Sequence, residues 1–235
     1  PSMLDVLARN YAYHNKSAKL YELAKVYLPT GDALPQEPKM LVLGAYGAEE
    51  TFFTLKGELE AVLAGLRVKK PAYTAVADHP TYHPGRCAKI TVAGREVGFL
   101  GQLHPLTAQN YGLDAAVYCC EVNLTALFAT LSGKPVQAKP ISTFPPVKQD
   151  LAFTVSTDVT AAELEKTIVE AAGNSLESID LFDVYTGDQL GEGLKSLAYA
   201  VTFRAEDKTL TSEDSEAIRK RIVDAAAKLG AQLRA

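Results

Sequence analysis

The segment KSLAYAVTFR, residues 195–204, alternates apolar residues with small or polar ones. A repeat of two residues is typical of a β-strand that buries one face and leaves the other uncovered. The apolar positions of this strand would share the buried face: Leu197, Tyr199, Val201 and Phe203. The long strand therefore predicts a sheet with two chemically different faces.

The segments around this strand predict the rest of a domain. Residues 150–156 and 179–185 have strand patterns, and a short final strand is predicted over 231–234. Residues 160–172 and 211–229 carry apolar positions at helical spacing. The predicted order is β-α-β-β-α-β, which is the pattern of a ferredoxin-like sandwich.

The preceding part of the chain predicts a separate α+β domain with a mostly antiparallel sheet. Strands are predicted near 20–27, 40–45, 73–77, 88–92, 96–100 and 116–122, and helices over 2–12, 51–66 and 124–131. Periodicity stops over residues 132–140, where turn-forming residues gather. We therefore expect one domain over residues 1–140 and a second over 141–235.

Composition indicates an ordinary globular chain of 235 residues, with 47% hydrophobic and 22% charged residues. We expect no membrane span and a cytoplasmic location, because the longest apolar runs are far below the ~20 residues of a membrane helix. Residues 1–140 have a net charge of +2 and residues 141–235 one of −6. If the second domain bound nucleic acid mainly by neutralising phosphates, it would be the more basic of the two. The chain begins at Pro1, inside an amphipathic pattern, and we expect it to be part of a longer protein.

Metal and nucleophile motifs are weak. His79 and His83 are four residues apart, but Pro80 and Pro84 exclude a helix that would aim both rings at one ion. His104 has no nucleophile placed beside it by the sequence. We therefore predict neither a catalytic residue nor a metal ligand in this chain, and we expect its three cysteines to be free thiols.

Four motifs of the second domain resemble the ferredoxin-fold anticodon-binding domain that ends the β subunit of bacterial phenylalanyl-tRNA synthetase. In order they are FPPVKQDLA (144–152), LFDVYTG (181–187), GEGLKSLAY (191–199) and TLT (209–211). The first part resembles the catalytic-like domain of the same subunit in LYELAKVY (20–27), FFTLKG (52–57), HPGR (83–86) and GQLHP (101–105). Gln149 and Leu194 depart from the family pattern, since basic or polar residues are usual there.

The resemblance implies the β subunit of an α2β2 ligase that charges tRNA-Phe, with ATP and Mg used by the holoenzyme. It implies a degenerate class II synthetase-like fold for residues 1–140, in which the α subunit does the chemistry. The residues agree, because clamping a triphosphate takes fixed arginines. None of the four arginines before residue 140 has such a setting: Arg9, Arg67, Arg86 and Arg95. We expect this part to be non-catalytic and without a cofactor.

Alternation assigns the two faces of the second sheet. Leu151, Phe153, Val155, Phe182 and Val184 should join the buried face of the long strand, and the opposite face should carry Asp150, Ala152, Thr154, Asp183, Tyr185, Ser196, Ala198, Ala200 and Thr202. The family's anticodon contacts match Ala152, Tyr185 and Ser196. Small side chains would let a base approach, and the tyrosine ring could stack on it. Lys148, Lys195 and Arg204 lie near strand ends, where they could bind flanking phosphates.

Two other functions remain open. The same βαββαβ pattern occurs in amino-acid-sensing regulatory modules, and fold alone does not choose between them. A purely structural role, as a scaffold for the α subunit, is compatible with residues 1–140.

Overall fold

The computed structural model describes residues 1–31, 33–68, 70–131, 133, 137–138 and 141–234. The chain divides into two compact units, Pro1–Pro135 and Val136–Ala235. The linker predicted over 132–140 falls largely outside the described residues, so the domain boundary stays a prediction. Each unit is described by itself.

The first unit is built on a six-stranded antiparallel sheet of order β1-β2-β6-β5-β4-β3. Its elements are α1 (Ser2–Ala12), β1 (Ala18–Lys25), β2 (Lys39–Tyr46), α2 (Phe52–Gly65), β3 (Ala72–Ala75), β4 (Tyr82–Val92), β5 (Arg95–Leu103), α3 (Pro105–Asn110), β6 (Val117–Asn123) and α4 (Leu124–Phe128). β4 begins earlier than predicted, because the chain stays extended through Pro84 and Gly85 with a register shift between Tyr82 and Cys87. The mixed α+β class predicted for this unit is confirmed.

Both faces of this sheet are packed by helices. One core joins α2 and α4 to the sheet through residues such as Leu55, Leu59 and Leu127. A second core lies on the other face, where α1 buries Met3, Leu4 and Leu7.

The second unit is a four-stranded antiparallel sheet of order β10-β7-β9-β8. Its elements are β7 (Val147–Ser156), α5 (Ala161–Ala172), β8 (Leu176–Tyr185), β9 (Leu194–Phe203), α6 (Ser212–Ala227) and β10 (Gln232–Leu233). The order β-α-β-β-α-β confirms the predicted ferredoxin-like fold.

Helices α5 and α6 pack on one face of this second sheet. Each begins with a capping box, in which Thr160 or Thr211 accepts a hydrogen bond from an amide of the first turn. Their buried residues Leu164, Ile168 and Ile222 join the buried side chains of β7 and β9 in one core. Among the described residues of this unit, no helix packs on the opposite face of the sheet.

The predicted burial of Phe182 and Val184 is wrong. Their side chains are 58% and 54% exposed. A register shift between Leu181 and Asp183 leaves Phe182 without a partner on β9. Val184 pairs with Leu197 and so shares its face, but β8 is the outer strand of the sheet. The exposure of Val184 shows that the helices do not cover the sheet edge at this residue.

Candidate nucleic-acid interface

The helix-free side of the second sheet brings the predicted base-contacting residues together. Directly opposed residues of antiparallel strands point to the same side. Ser196 lies opposite both Thr154 and Tyr185, and Ala198 lies opposite both Ala152 and Asp183. We call this side, formed by alternate residues of β7, β8, β9 and β10, the uncovered face.

The central residues of the uncovered face are small and have little exposed surface, whereas the aromatic ring on the outer strand is partly exposed. Ser196 and Ala198 are only 4% and 8% exposed, whereas Tyr185 on the outer strand is 38% exposed. The hydroxyl of Ser196 therefore offers little accessible surface, and the tyrosine ring supplies the accessible aromatic surface. Ala152 is half-buried beside them.

The three predicted phosphate-binding cations have different settings. Lys148 lies opposite Thr202 on the uncovered face and is exposed. Lys195 lies opposite the fully buried Val155, so it points to the helix side, where its Nζ donates to the Thr157 carbonyl at 3.0 Å. The structure thus places Lys195 away from the other site residues.

Arg204 is engaged within its own unit. Its Nε donates to Oε2 of Glu177 at 3.0 Å, and its Nη1 donates to the carbonyl of Phe144. The guanidinium thereby ties the segment that enters β7 to the start of β8. A phosphate would have to compete with both partners for this cation.

The structure adds two residues to the uncovered face that were not predicted from the sequence. Asp180 lies opposite Ala200, as Asp150 does, because the bulge at Phe182 reverses the alternation along β8. The amide of Arg234 donates to the Ala152 carbonyl at 2.8 Å and extends the β10 register by one residue. Its exposed side chain lies at a position that alternation gives to the uncovered face. The predicted terminal strand was the available signal for it.

Three of the four histidines in the first unit accept hydrogen bonds within their own turns. Nδ1 of His79, His83 and His104 accepts an amide hydrogen from the residue two positions later. Among the described residues, no group of three or more His, Cys, Asp or Glu side chains could hold a metal ion.

Two further findings bear on the class of protein. Burial raises the pKa of the Cys119 thiol to about 12, which keeps it protonated and weakly reactive. In the part of the chain that the structure describes, no helix has the length and apolar character needed to cross a membrane.

A bare sheet face that combines an exposed aromatic ring with small side chains is typical of sheet modules that bind single-stranded RNA. Comparison with known families gives a match in each part of the chain. Residues 142–234 match the ferredoxin-fold anticodon binding domain, and residues 1–124 match the phenylalanyl tRNA synthetase beta chain CLM domain. The chain belongs to the phenylalanyl-tRNA synthetase beta chain family.

Curated relatives match along the whole chain. The phenylalanine–tRNA ligase beta subunit of Bifidobacterium longum is 45% identical over 100% of this chain and 31% of its own length. That of Clostridium tetani is 39% identical over 99% of this chain and 30% of its own. The chain therefore spans about 30% of the length of these relatives. A solved pyrrolysyl-tRNA synthetase from Desulfitobacterium hafniense aligns with 55% of this chain and 46% of its own, at TM-score 0.45 and 15% identity.

Proposed function

We propose that the second domain, residues 141–235, binds the anticodon of tRNA-Phe through the uncovered face. The observation that carries the proposal is the placement of Ala152, Ser196 and Tyr185 in adjacent rows of a sheet face on which no described helix of the unit packs. Such a face can receive unpaired bases, which a duplex would keep stacked and paired.

The recognition has an apolar and a polar part. A base stacks on the half-exposed ring of Tyr185, a contact worth about 1–3 kcal/mol. The small, half-buried side chain of Ala152 lets the base approach the sheet. The neighbouring carboxylate of Asp183 can accept a hydrogen bond from an N–H group on the Watson–Crick edge of a base.

Phosphate contacts contribute less to the binding free energy than base contacts do. Lys148 and Arg234 are the cations that the described strands and their ends direct to the uncovered face, and Asp150 and Asp180 oppose them there. A single-stranded loop gains little from counterion release with so few cations. The domain therefore contributes more to selectivity for the anticodon than to the overall affinity for tRNA.

The first unit acts as a scaffold for a catalytic α subunit. Its outer strand β1 exposes Tyr21 (78%) and Leu23 (61%), and the segment that follows exposes Tyr27 (65%) and Leu34 (79%). Exposed apolar side chains along an unpaired strand edge favour contact with a partner. The assembly is an α2β2 ligase of the cytoplasm, in which ATP and Mg²⁺ serve the α subunit. Copurification with a bacterial phenylalanine–tRNA ligase α subunit should fail for Tyr21→Glu, and undiminished copurification would contradict the scaffold role.

The anticodon proposal is tested by titrating labelled RNA hairpins with the 235-residue chain. One hairpin carries the tRNA-Phe anticodon loop and the other carries replaced anticodon bases. We expect the first to bind at least about fivefold more tightly, and Tyr185→Ala to lower the affinity for it, because one stacking contact is lost. Tyr13→Ala, which changes a 77% exposed tyrosine of the first unit, should keep that affinity. Equal affinity of the wild type for both hairpins would contradict the proposal. A thermal shift with free phenylalanine in place of RNA would favour an amino-acid-sensing module.

A further inference from the structure

Gly187 lies against the ring of Tyr185. A Cβ placed on Gly187 would be 2.6 Å from Cζ of that ring and would overlap its hydroxyl oxygen. Distances under 3.0 Å are essentially never found for real Cβ atoms, so any other residue here would displace the ring or the backbone. The ring occupies space that exists because residue 187 has no side chain.

The backbone of Gly187 does not itself require a glycine. Its φ lies outside the left-handed region, unlike that of Gly191 and Gly193 in the same loop. Its carbonyl accepts a hydrogen bond from the Leu190 amide at 3.0 Å, at the start of the 3₁₀ turn Asp188–Leu190. This hydrogen bond fixes the backbone of residue 187, so an added methyl group would displace the ring of Tyr185.

We propose that Gly187 is a positioning residue that sets the ring of Tyr185 at the angle used for stacking. The proposal rests on the anticodon-binding role of Tyr185 proposed above. A methyl group at residue 187 would turn the ring away from this placement, while the fold of the sandwich would stay intact because residue 187 lies in the loop after β8.

A double-mutant cycle measures this coupling in the 235-residue chain, with the hairpin that carries the tRNA-Phe anticodon loop. Tyr185→Ala should weaken binding by about 5- to 150-fold, which corresponds to the stacking energy of one base. Gly187→Ala should weaken it by about threefold or more. In the Tyr185→Ala background the same Gly187→Ala change should have no further effect, because there is no ring left to displace. Thr186→Ala is the matched loop control and should bind as the wild type does.

The outcomes separate the two proposals. If Tyr185→Ala weakens binding and Gly187→Ala does not, the positioning role is wrong and the anticodon proposal stands. Additive losses in the double variant would also overturn the positioning role. If Tyr185→Ala itself binds normally, the stacking role fails and the positioning role fails with it. An NMR cross-peak between the Tyr185 Hε and Gly187 Hα protons, with no RNA present, is expected, and its absence would refute the contact itself.

Discussion

Binding of the anticodon hairpin should weaken only shallowly as salt is added. For single-stranded nucleic acid, the slope of log K against log salt is about −0.7 for each neutralised phosphate. Lys148 and Arg234 are the two cations that the described strands and their ends direct to the uncovered face, since Lys195 points to the helix side and Arg204 is paired with Glu177. Two contacts give a slope of about −1.4, so affinity should fall about sevenfold between 50 and 200 mM salt.

Fluorescence anisotropy of the labelled hairpin at several salt concentrations measures this slope. Lys148→Ala should bring it to about −0.7, because one phosphate contact is lost. Lys166→Ala is the matched control, since this lysine lies on α5 with its side chain 74% exposed. A wild-type slope steeper than about −3 would refute the reasoning, because it would require a basic surface elsewhere. A Lys166→Ala slope that fell as much as that of Lys148→Ala would refute it too.

Three substitutions and one measurement of thiol reactivity test the fold. A Cβ at Gly98 would lie 2.8 Å from the carbonyl carbon of Glu121 on the next strand, so Gly98→Ala should lower the free energy of unfolding by about 1–3 kcal/mol. Gly57→Ala, in open space on α2, should raise the free energy of unfolding by about 1 kcal/mol. Equal changes in the thermal unfolding of the two glycine variants would contradict both predictions. The Cys119 thiol should react with a colorimetric disulfide reagent only after unfolding, whereas fast reaction of the native chain would show that it is accessible. Hydrogen bonds in its capping box lower the pKa of Glu163, so its stabilising effect is present above pH about 4.3 and is lost as the pH falls through the lowered value. Glu163→Gln should flatten that part of the stability profile, and an unchanged acid limb would contradict the assignment.

The architecture of the second unit could be predicted because its alternation and helical spacing are local properties of the sequence. The apolar residues of β9 pack against α5 and α6, as the period of two indicated. Thr160 and Thr211 mark the starts of both helices by their capping chemistry. The same alternation placed Ala152, Ser196 and Tyr185 on one face.

The residues of the site could be predicted from alternation only as far as the first break in the regular pairing of the strands. A bulge at Phe182 depends on how β8 pairs with β9, and an isolated strand pattern does not contain that information. Alternation carried through the bulge therefore missed Asp180. The partner of Arg204, Glu177, lies on another strand, so the ion pair follows from tertiary contacts. The bond from Lys195 to the Thr157 carbonyl likewise depends on a neighbouring loop.

Photo-crosslinking tests the central claim most directly, because it reports which surface touches the anticodon. A hairpin with photoreactive anticodon nucleotides is bound to the 235-residue chain, irradiated and mapped by mass spectrometry. We expect crosslinks in Leu176–Tyr185 and Leu194–Phe203, the strands that carry Tyr185 and Ser196. Crosslinks confined to α5 and α6, on the opposite side of the sheet, would contradict the assignment of the uncovered face as the anticodon-binding surface.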